Sequence, residues 1–545
     1  ITPATADRRG AWASLEAKEL RLDPVAGPED LGARVRAWES AGAGNVFDLE
    51  GPDAQAVTMP PAPRYDSDEL LAEIVEVYAM ALLRDVPWNA YPLPPSAGKP
   101  PTRSEDRSEP DECANPEIKE ALELLRSLGW FNADPAEVSD EERSRLRTIE
   151  PDGSNLFRGV TPGEQVGPYL SQFLLLGNNS LERRGNEDPA RPAASGFIGY
   201  GAIGIEQKVR VADPCKDYLT LWGTYIDAQN GADFRGRETY VNPEKAPPFR
   251  FIATPRDLAT YVHYDALYEA YLNACLFLLT AGAPFDRGIP FLEADVFDKQ
   301  QGFAHFGGPH VLSLVTEVAT RALKAVRYQK FNVHRRLRPE ALGGQLDRWI
   351  HRPDLQAEAL RPLAPLADRF VDLQWGGESL AARVRRHNAE NNRHFRDEPT
   401  AEDDSYLLPM AFPEGSPMHP AYGAGHATVA GACVTILKAY FDHGWTPKEF
   451  LDGADPIAYE PSADGSELLR VHLHEPLTVE GELNKLAANI AIGRNWAGVH
   501  YYTDYIESFR MGEQIAIGLL EEQKLTYTEN FTMTVPLFDG GSVRI

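Results

Sequence analysis

Long stretches of this chain repeat their apolar residues every three to four positions, and few alternate. The period is helical in "DELLAEIVEVYAMALLRDV" (68–86), "LATYVHYDALYEAYLNACLFLLTAG" (258–282) and "GGPHVLSLVTEVATRALKAVRYQKFNVHRRLR" (307–338). It is helical again in "HATVAGACVTILKAYFDHG" and "YIESFRMGEQIAIGLLEEQ". A helix with one apolar stripe buries that stripe against another helix. The pattern therefore predicts a mainly α fold of packed helical bundles. Strand-like runs are few, and "TMTVPLF" (532–538) is the best of them. The Pro-rich "PLPPSAGKPPTRSEDRSEPDE" (92–112) reads as an exposed loop.

At 545 residues the chain has material for one large core or two to three ordinary domains, and no internal repeat divides it. A soft boundary is expected near residue 210. Residues 1–210 then form a helical and loop region packed on the core and used in oligomerisation, and residues 211–545 form the helical-bundle region that carries the site. A formal net charge of -27 argues against nucleic acid and anionic membrane as partners. No run of eighteen apolar residues occurs, so no membrane span is expected. The sequence starts Ile1-Thr2-Pro3 rather than with Met. A trimmed N-terminus, a removed export signal and a secreted or periplasmic location are the expectations. Cys275 and Cys433 lie in apolar helical stretches and read as buried thiols. Cys113 and Cys215 lie in polar loops, where a bridge is open to them. No zinc-ligand spacing is present.

Chemistry concentrates in three segments. In "HPAYGAGHATVAGACVTILKAYF" (419–441) a glycine turn places His426 at the mouth of an apolar helix, seven residues after His419. Free N–H groups at a helix mouth, here that of Gly425, attract an anion. In "AVRYQKFNVHRRLRPEALGG", Pro339 predicts a helix ending near Arg338. Arg327, Lys330, His334 and Arg338 would then form one stripe. The bland alternative is a solvated basic face; repulsion among the four points instead to an anion or acids opposite them. In "AIGRNWAGVHYYTDYIESF", a turn at 495–498 lets Arg494 and His500 converge. Asp504, at i+4 from His500, can accept from one ring nitrogen and raise the basicity of the other. Such a set suits a tetrahedral oxyanion held by charge-assisted hydrogen bonds.

The order Lys, Arg-Pro, Gly-His, then Arg, five residues, His, three residues and Asp resembles the signature shared by vanadium-dependent haloperoxidases and the acid phosphatases of their superfamily. Seven residues separate Lys330 from Arg338. That is the bromoperoxidase spacing, where the phosphatases usually have six. "YQKFNVHRRLRPEALGG", "LLPMAFPEGSPMHPAYGAGHA", "RNWAGVHYYTDYIESF" and "GEQVGPYLSQFLL" (163–175) are also similar to algal and bacterial bromoperoxidases. The likeness covers most of residues 160–530.

What the resemblance implies can be carried over residue by residue. His500 would ligate vanadium, and Lys330, Arg338, Arg494 and the Gly425 N–H would hold the oxygens of vanadate. His426 would move protons, and Lys330 would polarise bound peroxide. His419 and Arg327 would tune halide use. Asp504 would orient His500, and Asp265 is expected to pair with Arg494. Ala424 stands where the family has serine, so one hydroxyl donor is missing. The implied reaction is oxidation of bromide and iodide by hydrogen peroxide, followed by halogenation of organic acceptors. The implied assembly is a homo-oligomer, a dimer or a higher assembly of dimers. Two other readings use the same pocket: an acid phosphatase with His500 as nucleophile, and a non-catalytic phosphate or vanadate binding protein.

Overall fold

The computed structural model describes residues 51–95, 101–102, 115–178, 193–292, 302, 305–351, 358–393, 404–527 and 529–545. The first 50 residues and Cys113 lie outside them. The principal helices, in chain order, are α1 (Asp68–Leu82), α2 (Pro255–Tyr264), α3 (Glu269–Ala281), α4 (Gly308–Tyr328), α5 (Pro339–His351), α6 (Gly425–Tyr440), α7 (Val479–Trp496) and α8 (Tyr502–Thr526). Strands are short and antiparallel. Thr534–Pro536 pairs with Ser542–Arg544, the strand predicted near the C-terminus, and Asp455–Pro461 lies between Leu451–Asp452 and Leu468–His472. The mainly α architecture agrees with the periodicity. Among the described residues no helix is long and apolar enough to cross a membrane.

Local chemistry starts these helices. Ser67 caps α1 by accepting from Leu70 N at 3.1 Å. Thr254 and Asp257 form a capping box at α2, with Pro255 in its first turn. The Thr478 side chain accepts from Gly481 N at the head of α7. At the centre lies α6, buried from Ala427 to Tyr440 and packed against α4, α7 and α8. A helix apolar on every side belongs inside a core. Its crossing with α8 needs two glycines. A Cβ on Gly431 would meet Phe509 O at 2.5 Å, and one on Gly512 would meet Thr428 O at 2.2 Å. Helix backbones this close leave no room for a side chain.

Three expectations need correction. The helix predicted to reach Arg338 ends at Tyr328, followed by a widened π-type turn over Gln329–His334. Arg335 then takes a left-handed conformation (φ 50°), and its N–H returns to Lys330 O at 3.2 Å. Pro339 starts α5 instead of stopping a helix, and it disfavours helical geometry at Arg338. Arg327, Lys330, His334 and Arg338 therefore share no single helical stripe. The second correction concerns 258–282, which is two helices, α2 and α3, parted at Asp265. In the third, residues 92–94 of the supposed exposed loop are buried; 96–100 and 103–112 lie outside the described residues. Cys275 and Cys433 are buried free thiols, and Cys215 is a free, exposed one.

Candidate active site

Arg338 is the hub of the site. Its Nη1 donates to His500 Nε2 at 2.9 Å and to Val499 O at 2.8 Å. Nη2 donates to His419 Nδ1 at 2.8 Å, and Nε to His419 O at 2.9 Å. Guanidinium is only a donor, so His500 Nε2 carries its lone pair here, while His419 Nδ1 lies between the guanidinium and Pro420 O, 3.2 Å away. On the far side of His500, Nδ1 meets Asp504 Oδ2 at 2.9 Å, and the Tyr501 N–H reaches the same oxygen at 3.1 Å. The expected His500–Asp504 pairing is thus present. It forms across the start of α8, with His500 just outside the helix and Asp504 in its first turn, not along one helix face.

Gly425 opens α6, with Ala424 as its N-cap residue, and His426 follows inside the first turn. The expected partner of Asp265 was Arg494, but its carboxylate hydrogen-bonds elsewhere: Oδ1 meets His426 Nε2 at 3.1 Å. The break between α2 and α3 is what turns Asp265 toward that ring. Arg494 Nη1 instead donates to Val262 O at 3.2 Å, and Asp265 acts on Arg494 through charge. Lys330 is fully buried, and its Nζ donates to Pro420 O at 2.7 Å and Ala421 O at 3.0 Å. Arg327 approaches the same turn, since a Cβ on Gly425 would lie 3.3 Å from its Nη1.

The electrostatics are those of a pocket built for an anion. Burial, then the neighbouring Arg494 charge, pulls the Arg338 pKa down to about 9. Burial, followed by Arg338 and Lys330, holds His500 well below the ordinary histidine range. His419 is lowered too, first by burial and then by Lys330, Arg338 and Arg327. Clustered buried cations destabilise one another until an anion joins them. Arg494 Nε supports the fit, being buried with no hydrogen-bond partner among the described residues. Also among the described residues, no group of three or more His, Cys, Asp or Glu is placed to hold a bare metal ion. A tetrahedral oxyanion suits this donor set.

A family model described as the VCPO second helical-bundle domain matches residues 378–527. The vanadium-dependent bromoperoxidase of Corallina pilulifera is 46% identical over 552 residues, covering 97% of this chain and 85% of that protein. The chain belongs to the vanadium-dependent bromoperoxidase family. A bromoperoxidase of Ascophyllum nodosum is 32% identical over 92% of this chain and 76% of its own length. The solved homohexameric structure of a second vanadate-dependent bromoperoxidase from Ascophyllum nodosum superposes with a TM-score of 0.70 at 25% identity, covering 94% of this chain and 77% of that one. Against the bromoperoxidase signature, Ala424 remains the departure. Its N–H donates to Ser508 Oγ at 2.8 Å.

Sequence reasoning missed Arg336, Glu73 and Ser508. Arg336 Nη1 donates to Asp504 Oδ1 at 2.8 Å and Nη2 to Glu73 Oε2 at 2.7 Å. Two signals were available. Arg336 sits two residues before Arg338, and Glu69, Glu73 and Glu76 make an acidic stripe at i, i+4 and i+7 in an otherwise apolar helix, all three buried.

Proposed function

We propose that this pocket binds vanadate and that the chain uses it to oxidise bromide, and iodide, with hydrogen peroxide, passing electrophilic halogen to organic acceptors. The observation that carries the reading is Arg338 joined to His500 and His419 inside a buried cluster of cations, in a chain 46% identical to a named vanadium-dependent bromoperoxidase. Vanadate, when bound, supplies a redox-inert Lewis acid.

The chain's own residues do the remaining work. His500 would offer Nε2 to vanadium, with Asp504 fixing its tautomer through Nδ1; Arg338, which donates to that nitrogen here, would then turn to an oxygen of the vanadate. Lys330, Arg338, Arg494 and the Gly425 N–H neutralise and orient the oxyanion in a preorganised pocket. With Nε2 of His426 engaged by Asp265, Nδ1 is the nitrogen left to take a proton from arriving peroxide. A positioned base of this kind contributes roughly 10²–10⁴-fold. His419 and Arg327 flank the Arg338 side of the pocket and tune halide use. We also infer a homo-oligomer, which the homohexameric relative supports, and assign residues 1–210 to its contacts.

One pair of assays tests the reading. Apo-protein should regain dye bromination with peroxide only when vanadate is added, phosphate should slow that recovery, and p-nitrophenyl phosphate hydrolysis should stay at background. Full bromination after exhaustive removal of vanadium would overturn it.

A further inference from the structure

We infer that Arg336, braced by Glu73, is a positioning residue that fixes His500 through Asp504; the inference rests on the vanadate reading above. Asp504 is fully buried and has two oxygens to satisfy. Oδ2 is used by His500 Nδ1 and Tyr501 N. Oδ1 takes Arg336 Nη1, and the other end of the same guanidinium takes Glu73 Oε2. Glu73 Oε1 in turn accepts from both the N–H and the hydroxyl of Thr503. Both carboxylates thus hold the first turn of α8, and Arg336 joins them. Its side chain is 9% exposed, and its guanidinium lies 3.9 Å from the centroid of the Tyr501 ring.

Geometry makes this more than helix packing. Arg336, Leu337 and Arg338 are non-helical, and the two arginines straddle His500. Arg338 meets Nε2, and Arg336 reaches Nδ1 through Asp504. The backbone carbonyl of Arg336 also accepts from Ala421 N at 2.9 Å, next to the carbonyls that hold Lys330. Serving two carboxylates at once requires the planar fork of arginine; a lysine ammonium is a point donor. Without the fork, Asp504 Oδ1 is left buried and unsatisfied, and the carboxylate can rotate away from Nδ1. The Nε2 lone pair then loses its aim.

The test is vanadate Kd of apo-protein by equilibrium dialysis, well below the unfolding temperature. Arg336→Gln should raise Kd about 10–100-fold, the usual cost of losing a group that orients a metal ligand. Arg336→Lys should fall between Gln and wild type, and it carries the test alone if the Gln variant does not fold. A residue that only packs helices would add its effect in full to that of Asp504→Asn. A positioning residue would not, so the Arg336→Gln/Asp504→Asn double variant should bind vanadate little worse than Asp504→Asn. Kd within twofold of wild type in both Arg336 variants, or full additivity, overturns the inference. His500→Ala separates it from the reading beneath. If His500→Ala loses vanadate while the Arg336 variants keep it, only the positioning role fails; if His500→Ala binds vanadate as wild type does, the ligand assignment itself fails.

Discussion

Arg338 donates to two histidines at once, His500 Nε2 at 2.9 Å and His419 Nδ1 at 2.8 Å. One planar group thereby fixes the spacing of the two rings, and on the proposed reading it would hand Nε2 over to vanadium and turn to an oxygen of the vanadate. Arg338→Lys keeps the charge and loses the fork. One lost hydrogen bond to a charged group costs roughly 1.5–3 kcal/mol. Vanadate Kd should therefore rise by about tenfold or more, with the bromide KM rising as well. Titration of apo-protein with vanadate and bromide kinetics at saturating vanadate measure the two. Unchanged values for both would show that the fork is dispensable.

The proposed reading gives the two helix mouths different jobs. His500→Ala should lose vanadium retention and activity together. His426→Ala should keep much of the vanadium and lose turnover. Asp265→Asn should resemble a milder His426→Ala, because the carboxylate at 3.1 Å is what holds that ring. Vanadium content per subunit and kcat, measured on the same preparations, separate these outcomes. Equal vanadium loss in all three variants would refute the division of labour.

At Ala424 the hydroxyl of the family signature is absent and the turn is otherwise kept. Ala424→Ser should tighten vanadate binding about tenfold or somewhat more, the worth of a hydrogen bond to a charged group. The bromination rate should change modestly, since the cations and His426 are untouched. Isothermal titration of both proteins decides the matter. A weaker Kd in the serine variant would mean that the new hydroxyl turns to Ser508 instead of the oxyanion.

Away from the site, His310 is buried between two tyrosines. Tyr440 lies 2.5 Å from its Nδ1 and Tyr527 3.1 Å from its Nε2. Burial, then the nearby His305, lowers its pKa to about 4. The unfolded chain binds this proton near pH 6.5 and the folded chain does not. The contribution to stability is therefore full above 6.5 and is lost as pH falls from 6.5 toward 4. His310→Gln should narrow the gap between urea midpoints measured at pH 7.5 and pH 5. An unchanged gap would place the acid sensitivity elsewhere.

The close crossing of α6 and α8 predicts a cost for Gly512→Ala. The new Cβ would meet Thr428 O at 2.2 Å and Ala432 N at 2.7 Å, both backbone atoms that cannot swing aside. Overpacking of this kind costs about 1–3 kcal/mol or more. A lower unfolding temperature and weaker vanadate binding should appear together, because α6 carries Gly425 and His426 while α8 begins beside His500.

Helix positions were legible because periodicity is a local property. The residue types of the pocket were legible because their order along the chain matches a known signature. The path of the chain between them was not. The break at Asp265 sits inside an unbroken apolar pattern, so the sequence offered no reason to turn that carboxylate toward His426 rather than Arg494. The widened turn at Gln329–His334 changes the hydrogen-bond register without changing the apolar pattern, so a single stripe to Arg338 was the natural extrapolation. Arg336 and Glu73 lie 263 residues apart, and only the folded chain shows that they meet.

The widened turn after α4 also bears on how the site tolerates a change of chain length. A helix that gains one residue can absorb it as a single wide turn and leave its flanks in place. Here that turn, Gln329–His334, contains Lys330 and closes four residues before Arg338. An insertion at this spot lengthens the link between two anion-holding cations while α4 and α5 keep their seats.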